Sequence, residues 1–197
     1  MDSIPIISGD LLYIDADMIV QQCNCITKSA LGLSQDIKTV LRVDPYGNRR
    51  LIKGKKNSSI PEDQDTPGTI SIYSCDKPEK PISKLALDLH TNNTNNTNKP
   101  RYVACLFAQF APGKPKFTND SDSKSKRLIW FKSALNNLYD ELLEIDNDNV
   151  FTIAFPYLIG CGLAGGNWSD YLKCITDFAL SLKANKKNIR VIIIKKE

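Results

Sequence analysis

Histidine is almost missing from this chain: 197 residues contain one, His90. A metal centre would therefore lack its commonest ligand. The six cysteines do not replace it. Cys23-Asn24-Cys25 is too closely spaced for a zinc knuckle, and Cys75, Cys105, Cys161 and Cys174 fall in apolar segments or a glycine turn. They read as reduced, buried small residues, so neither a metal site nor a disulfide framework is expected. No apolar run approaches the roughly 20 residues that span a bilayer, and no basic stretch followed by an apolar one opens the chain. The expectation is an intracellular protein, cytoplasmic or nuclear, without membrane contact. The phosphate-binding pattern G-x-x-x-x-G-K-[ST] is also missing, which disfavours a mononucleotide kinase.

The charge excess is small, +4 at pH 7. Basic residues gather at Arg49-Arg50 with Lys53, Lys55 and Lys56, and again at Lys183, Lys186, Lys187 and Arg190. Without interleaved aromatics these clusters read as solvated faces, and nucleic acid is the less favoured partner. They favour an anionic ligand in a general way.

What the chain does have is glycine in clusters. Four glycines lie within seven residues at Gly160, Gly162, Gly165 and Gly166. They follow the short apolar run Asn149–Pro156, which reads as a buried strand. They precede a helical pattern that places Trp168, Tyr171, Leu172, Ile175, Phe178, Ala179 and Leu182 on one face. A glycine-rich passage from strand to helix exposes backbone N–H groups at the positive end of the helix dipole, a natural seat for phosphate or diphosphate. A second such turn, Ala30-Leu31-Gly32-Leu33-Ser34, follows the strand candidate Met18–Cys23 and leads into a helix buried through Leu33, Ile37, Val40 and Leu41.

Further strands are expected at Ile4–Ile7, Thr69–Tyr73, Leu85–Leu89, Tyr102–Ala108 and Arg190–Ile194. A long amphipathic helix is expected on Leu128, Phe131, Ala134, Leu135, Leu138 and Leu142. Residues 42–67 are polar and broken by Pro45, Gly47 and Pro61, a long surface excursion. Residues 91–98 are almost pure Asn and Thr, a low-complexity loop. Strands alternating with helices imply one α/β domain over residues 1–197, with helices on both faces of a mixed sheet.

Gly160-Cys161-Gly162-Leu163-Ala164-Gly165 matches the dinucleotide pattern G-x-G-x-x-G. Its position argues against a Rossmann domain, because that motif opens a βαβ unit and here only one strand remains. Taken together, Gly9-Asp10-Leu11, Cys23-Asn24-Cys25, Leu31-Gly32-Leu33 and Phe155-Pro156-x-x-Ile159-Gly160-Cys161-Gly162-Leu163 resemble the macro domain family. The order is the family's, and the likeness spans most of the chain. It looks closest to ADP-ribose-1″-phosphatase-like branches and to virus and phage members.

The resemblance implies a three-layer α/β/α fold with a six-stranded mixed sheet, and ADP-ribose or an ADP-ribosylated substrate as ligand. Asp10, beside Leu11, would accept from the adenine amino group; it also reads as a turn residue. The backbone at Leu31, Gly32 and Leu33 and from Ile159 through Gly160, Cys161 and Gly162 to Leu163 would clamp the diphosphate. Asn24 would orient the distal ribose, or cap the turn that follows it. Trp168 reads as core.

Hydrolysis at the distal ribose is the favoured activity, with a non-catalytic ADP-ribose reader as the alternative. Many family members place an Asp beside the Trp of the second loop. Here Asn167 stands there, assigned to ligand contact, and an amide is no general base. Asp170 belongs to the first helical turn. In one branch a Lys between strand and helix is the nucleophile, a role that Lys114 (with Lys116 in the same loop) would fill only with a lowered pKa. A monomer is expected.

Overall fold

In a computed structural model the described residues are 3–76, 101–115, 120–145, 149–185 and 188–197. They form six strands, three α-helices and two short 3₁₀ turns. The strands are β1 (Ile6–Ser8), β2 (Met18–Asn24), β3 (Ile70–Cys75), β4 (Arg101–Gln109), β5 (Phe151–Pro156) and β6 (Ile189–Lys195). The helices are α1 (Leu33–Leu41), α2 (Lys124–Leu143) and α3 (Trp168–Asn185). The expected strand at 85–89, the Asn/Thr stretch, His90 and Lys116 lie outside the described residues.

One mixed sheet has the order β1-β6-β5-β2-β4-β3. Every pairing is parallel except β3 with β4. Parallel strands buried on both faces need apolar side chains pointing both ways. In β5, Phe151, Ile153 and Phe155 join one core and Ala154 the other; in β6, Val191 and Ile193 oppose Ile192 and Ile194 in the same manner. The first core is closed by α2 and α3 through Phe131, Leu135, Leu138, Tyr171, Ile175, Phe178 and Leu182. The second is closed by α1 through Ile37 and Leu41, together with Leu11, Leu12 and Ile14 from the turn after β1. The result is a three-layer α/β/α fold. Among the described residues no helix is long and apolar enough to cross a membrane.

Residues 42–67 do more than cover the surface. They bring Val43, Tyr46, Arg49 and Ser59 into buried positions, and short antiparallel bridges join Thr27 to Ser58 and Leu51 to Ser59. Arg49, placed on a solvated basic face by sequence pattern, is a correction. It is 4% exposed, with its guanidinium 4.7 Å from the centre of the Tyr46 ring and 5.7 Å from that of Phe107. Aromatic faces on a cation and carbonyl partners nearby explain why the charge tolerates burial.

Arg101 is the second buried guanidinium, 1% exposed at the start of β4. It donates to the carbonyls of Leu12 (2.6 Å), Leu11 (3.0 Å) and Ile14 (3.0 Å), and burial lowers its pKa to about 10. Those three carbonyls belong to the turn that carries Asp10. Arg101→Met should therefore cost about 1–3 kcal/mol of stability by leaving carbonyls without a donor. Urea unfolding checks this, and an unchanged midpoint would contradict it.

Candidate functional site

In a sheet of this kind a ligand crevice forms outside the carboxyl ends of the strands, where the connections diverge to opposite faces. Here β2 and β5 are neighbours. The chain leaving β2 runs to α1 in one layer, and the chain leaving β5 runs to α3 in the other. The two glycine turns sit on these two exits.

The turn after β1 is built by Asp10. Its Oδ1 accepts from Leu12 N (2.9 Å), and its backbone carbonyl accepts from Tyr13 and Ile14. That fixes the carboxylate and leaves Oδ2 outside the turn's own bonding. Asp10, Leu11, Leu12, Leu33, Asp36, Pro156, Tyr157 and Lys196 are among the residues lining a cleft of about 140 Å³. Apolar walls from Leu11, Leu12, Leu33 and Tyr157, with the carboxylates of Asp10 and Asp36 and the amine of Lys196 at the edge, suit a flat heteroaromatic ring bearing an amino group. The same cleft brings the start of α1 against the end of β5, where the second glycine turn begins.

Gly32 adopts φ 58°, ψ −134° ahead of α1, a conformation that side chains rarely accept. No side chain caps α1. Among the described residues, the N–H groups of Leu31, Gly32, Leu33 and Ser34 have no acceptor. The glycine turn after β5 is held by backbone bonds from Ile159 to Pro156, Cys161 to Leu158, Gly165 to Gly162 and Gly166 to Gly160. The N–H groups of Gly162, Leu163 and Ala164 take no part in these bonds. Two sets of open amides, one at a helix N-terminus, are an arrangement that suits an anion.

The glycines of the second turn divide into two roles. A Cβ on Gly160 would meet Gln22 Oε1 at 2.6 Å and Tyr171 Cζ at 2.8 Å, and one on Gly166 would meet Tyr171 Cε2 at 2.5 Å. These two let the turn lie against the Tyr171 ring. A Cβ on Gly162 would meet nothing within 4 Å. Its lack of a side chain leaves room beside the main chain.

Asn24 ends β2 and is buried. Its Oδ1 accepts from Ile26 N (3.1 Å) and Thr27 N (2.8 Å), so the side chain caps the following turn. Arg49 fastens the same turn through Thr27 O (2.5 Å), Asn24 O (3.2 Å) and the Asp65 carboxylate. Asn167 is placed at the start of α3, where Oδ1 accepts from Ser169 N (3.0 Å) and Ser169 Oγ (2.9 Å). Asp170 falls in the first helical turn, and Trp168 packs edge-on against Tyr157 at 5.0 Å between ring centres. Leu31 and Leu163 are 75% and 79% exposed at the tips of the two turns, and Lys114 is exposed in the loop after β4.

Sequence pattern did not single out the three buried arginines, Tyr171's part in seating the turn, Asp36 or Lys196. One signal was available for Arg127: it lies in phase with Phe131, Leu135, Leu138 and Leu142, a charge on the buried stripe of α2.

Burial pushes the Cys161 thiol up to about 11 and the Cys25 thiol up to about 12. Burial favours the protonated thiol at both positions, which weakens Cys161 as a nucleophile despite its place in the glycine turn. A folded-state pKa above the ordinary 9.0 means stability is intact below pH 9 and is lost as pH climbs from there toward 11–12. Urea midpoints should thus be flat from pH 7 to 8 and fall by pH 10; a rise would contradict the burial of these thiols. The division among glycines gives a second test. Gly160→Ala should destabilise the fold or displace the turn. Gly162→Ala should leave the unfolding midpoint within about 0.5 kcal/mol, as at an unobstructed surface site.

No protein-family model matches the chain, and no curated protein matches it by sequence. Solved structures match it by shape. A protein of unknown function from Bacteroides thetaiotaomicron aligns with a TM-score of 0.58 at 15% identity, over 98% of this chain and 99% of the other. The macrodomain of Thermus aquaticus DarG aligns with a TM-score of 0.54 at 18% identity, over 98% and 97%. A Trypanosoma brucei macrodomain in complex with ADP-ribose aligns with a TM-score of 0.50 at 11% identity, over 97% of this chain and 62% of that one. The chain has the macro domain fold.

Proposed function

We propose that this protein binds ADP-ribose across the carboxyl ends of its strands and hydrolyses bonds at the distal ribose. The observation that carries the reading is the pair of open backbone segments, Leu31–Ser34 and Gly162–Ala164, on the exits of two neighbouring strands, beside a narrow cleft whose lining includes the fixed Asp10 carboxylate. A diphosphate between the cradles puts an adenine within reach of Asp10, whose Oδ2 accepts from the exocyclic amino group. Leu11, Leu33 and Tyr157 supply the walls. The other end of the diphosphate then leads toward Asn24. Because Asn24 Oδ1 is engaged by its own turn, its Nδ2 is the group that addresses the distal ribose.

Release of ADP-ribose from a modified target needs water placed at the anomeric carbon, which takes the oxygen of water as the bond to the target breaks, and release of a 1″-phosphate needs water at that carbon or at phosphorus. Asn24 orients the ribose for that attack, and the bound diphosphate helps to position the water. Lys114 is the further candidate, through its amine. A second reading, a non-catalytic reader, is favoured by one specific observation: the glycine turn holds no carboxylate, and Asn167 in the acidic position is occupied as a helix cap.

Calorimetry should give a micromolar Kd for ADP-ribose, about −8 kcal/mol. Asp10→Ala should weaken it roughly tenfold or more, the worth of one hydrogen bond to a charged group. No heat at millimolar ligand would overturn the binding claim. With ADP-ribose-1″-phosphate and an ADP-ribosylated protein as substrates, wild type should turn over, and Asn24→Ala and Lys114→Ala should be slowed by about a hundredfold. Equal, background release from all three proteins would leave the reader.

A further inference from the structure

Arg127 stands in the first turn of α2, 1% exposed, and all five of its N–H groups are used. Nε donates to Asp122 Oδ1 at 2.7 Å, and Nη2 to Asp122 Oδ2 at 2.6 Å and Ala111 O at 3.1 Å. Nη1 donates to Gly113 O at 2.6 Å and to Ala164 O at 3.1 Å. Asp122, also buried, accepts in turn from Phe110 N (3.3 Å) and Ala111 N (3.1 Å). The loop after β4 is thus gripped at its donors by Asp122 and at its acceptors by Arg127. The same guanidinium reaches across to the glycine turn at Ala164. The two segments also touch directly: a Cβ on Gly165 would sit 3.0 Å from Pro115 Cδ.

This exceeds what fold stability asks of an arginine. A buried helical position is filled more simply by Leu, and a charge-assisted pair with one Asp leaves several donors over. Here the spare donors go to carbonyls of two loops, Ala111 and Gly113 after β4 and Ala164 in the glycine turn. The loop after β4 also lies beside Asn24, because Cys25 N donates to the carbonyls of Gln109 (3.0 Å) and Phe110 (3.1 Å). Phe110 is 37% exposed at that point, a large apolar ring held open to solvent.

We propose that residues 110–114 form the wall of the site around the distal ribose, and that Arg127, fixed by Asp122, is the positioning residue that sets this wall against the glycine turn. The proposal rests on the ADP-ribose reading and adds to it the distal end of the pocket. It makes a separable claim. Arg127 reaches the glycine turn at Ala164 O alone, while Tyr171 at Gly160 and Gly166 and the turn's own backbone bonds also hold it, so loosening the wall costs the distal end more than the diphosphate end.

ADP and ADP-ribose share the adenosine and the diphosphate, and only ADP-ribose carries the distal ribose. Calorimetry with both ligands, on the full chain, reads the claim as a ratio. Lysine keeps the charge for Asp122 but cannot fork to three carbonyls. Arg127→Lys should weaken ADP-ribose roughly tenfold, the size of a lost contact, while ADP stays within about twofold. Equal losses on both ligands would make Arg127 a purely structural residue and overturn the proposal, as would no loss on either. Should Arg127→Lys fail to fold, Phe110→Ala at its exposed position decides: a selective loss of ADP-ribose affinity supports the wall, and unchanged affinity overturns it. A wild type that binds ADP as tightly as ADP-ribose also overturns it while leaving the adenosine-diphosphate site standing. A wild type that binds neither overturns both.

Discussion

Buried guanidinium groups hold the loops of this molecule to its sheet. Loops rich in glycine have little side-chain surface of their own to bury, and their carbonyls need donors that a strand or helix would otherwise supply. Three arginines provide them. Arg101 takes the carbonyls of the Asp10 turn, Arg49 those of the Asn24 turn, and Arg127 those of the loop after β4 together with the glycine turn after β5. The planar, multiply donating head suits the task, since one side chain can fix several carbonyls at once where an ammonium offers a compact point charge. Desolvation of three cations is the cost, offset by Asp65 and Asp122 beside two of them and by carbonyl dipoles around all three.

That arrangement would preorganise the proposed site, which is made almost wholly of backbone. An anion held by main-chain amides gains from them only if the amides already point at it before binding. The turn after β5 is pressed onto the Tyr171 ring at Gly160 and Gly166 and pinned at Ala164, while Gly162 is left open between those supports. Tyr171 itself is packed on Phe131 of α2 at 4.6 Å between ring centres. The helix layer under the sheet therefore reaches the ligand face through one aromatic ring and one guanidinium.

The fold was legible in the sequence wherever a segment was long and strongly patterned. The continuous apolar runs of β4, β5 and β6 and the stripe of α2 stand close to their expected places, because burial on both faces leaves a signal of several residues. The glycine turns were legible as turns between strand and helix for the same reason. What was not legible is the buried polar part. Arg49 sits in a run of basic residues, and nothing local distinguishes it from its exposed neighbour Arg50; its aromatic partners Tyr46 and Phe107 are distant in chain or in pattern. The glycines of the second turn looked alike in sequence. Only the packing against Tyr171 separates Gly160 and Gly166 from Gly162. Asn24 had two readings at the level of residue type, ribose contact and cap, and Asn167 was assigned to ligand contact; the structure gives both of them a capping bond.

The central claim is that one diphosphate is held between two backbone cradles on neighbouring strands. Amide hydrogen exchange with and without ADP-ribose addresses those N–H groups themselves. The account predicts slowed exchange in Leu31–Ser34 and in Gly162–Ala164 together, with the turn at Leu11–Leu12 alongside. It would be contradicted by slowing in one cradle without the other. Slowing confined to the hollow of about 470 Å³ between α2 and α3, lined by Lys132, Tyr139, Cys174 and Phe178, would contradict it equally.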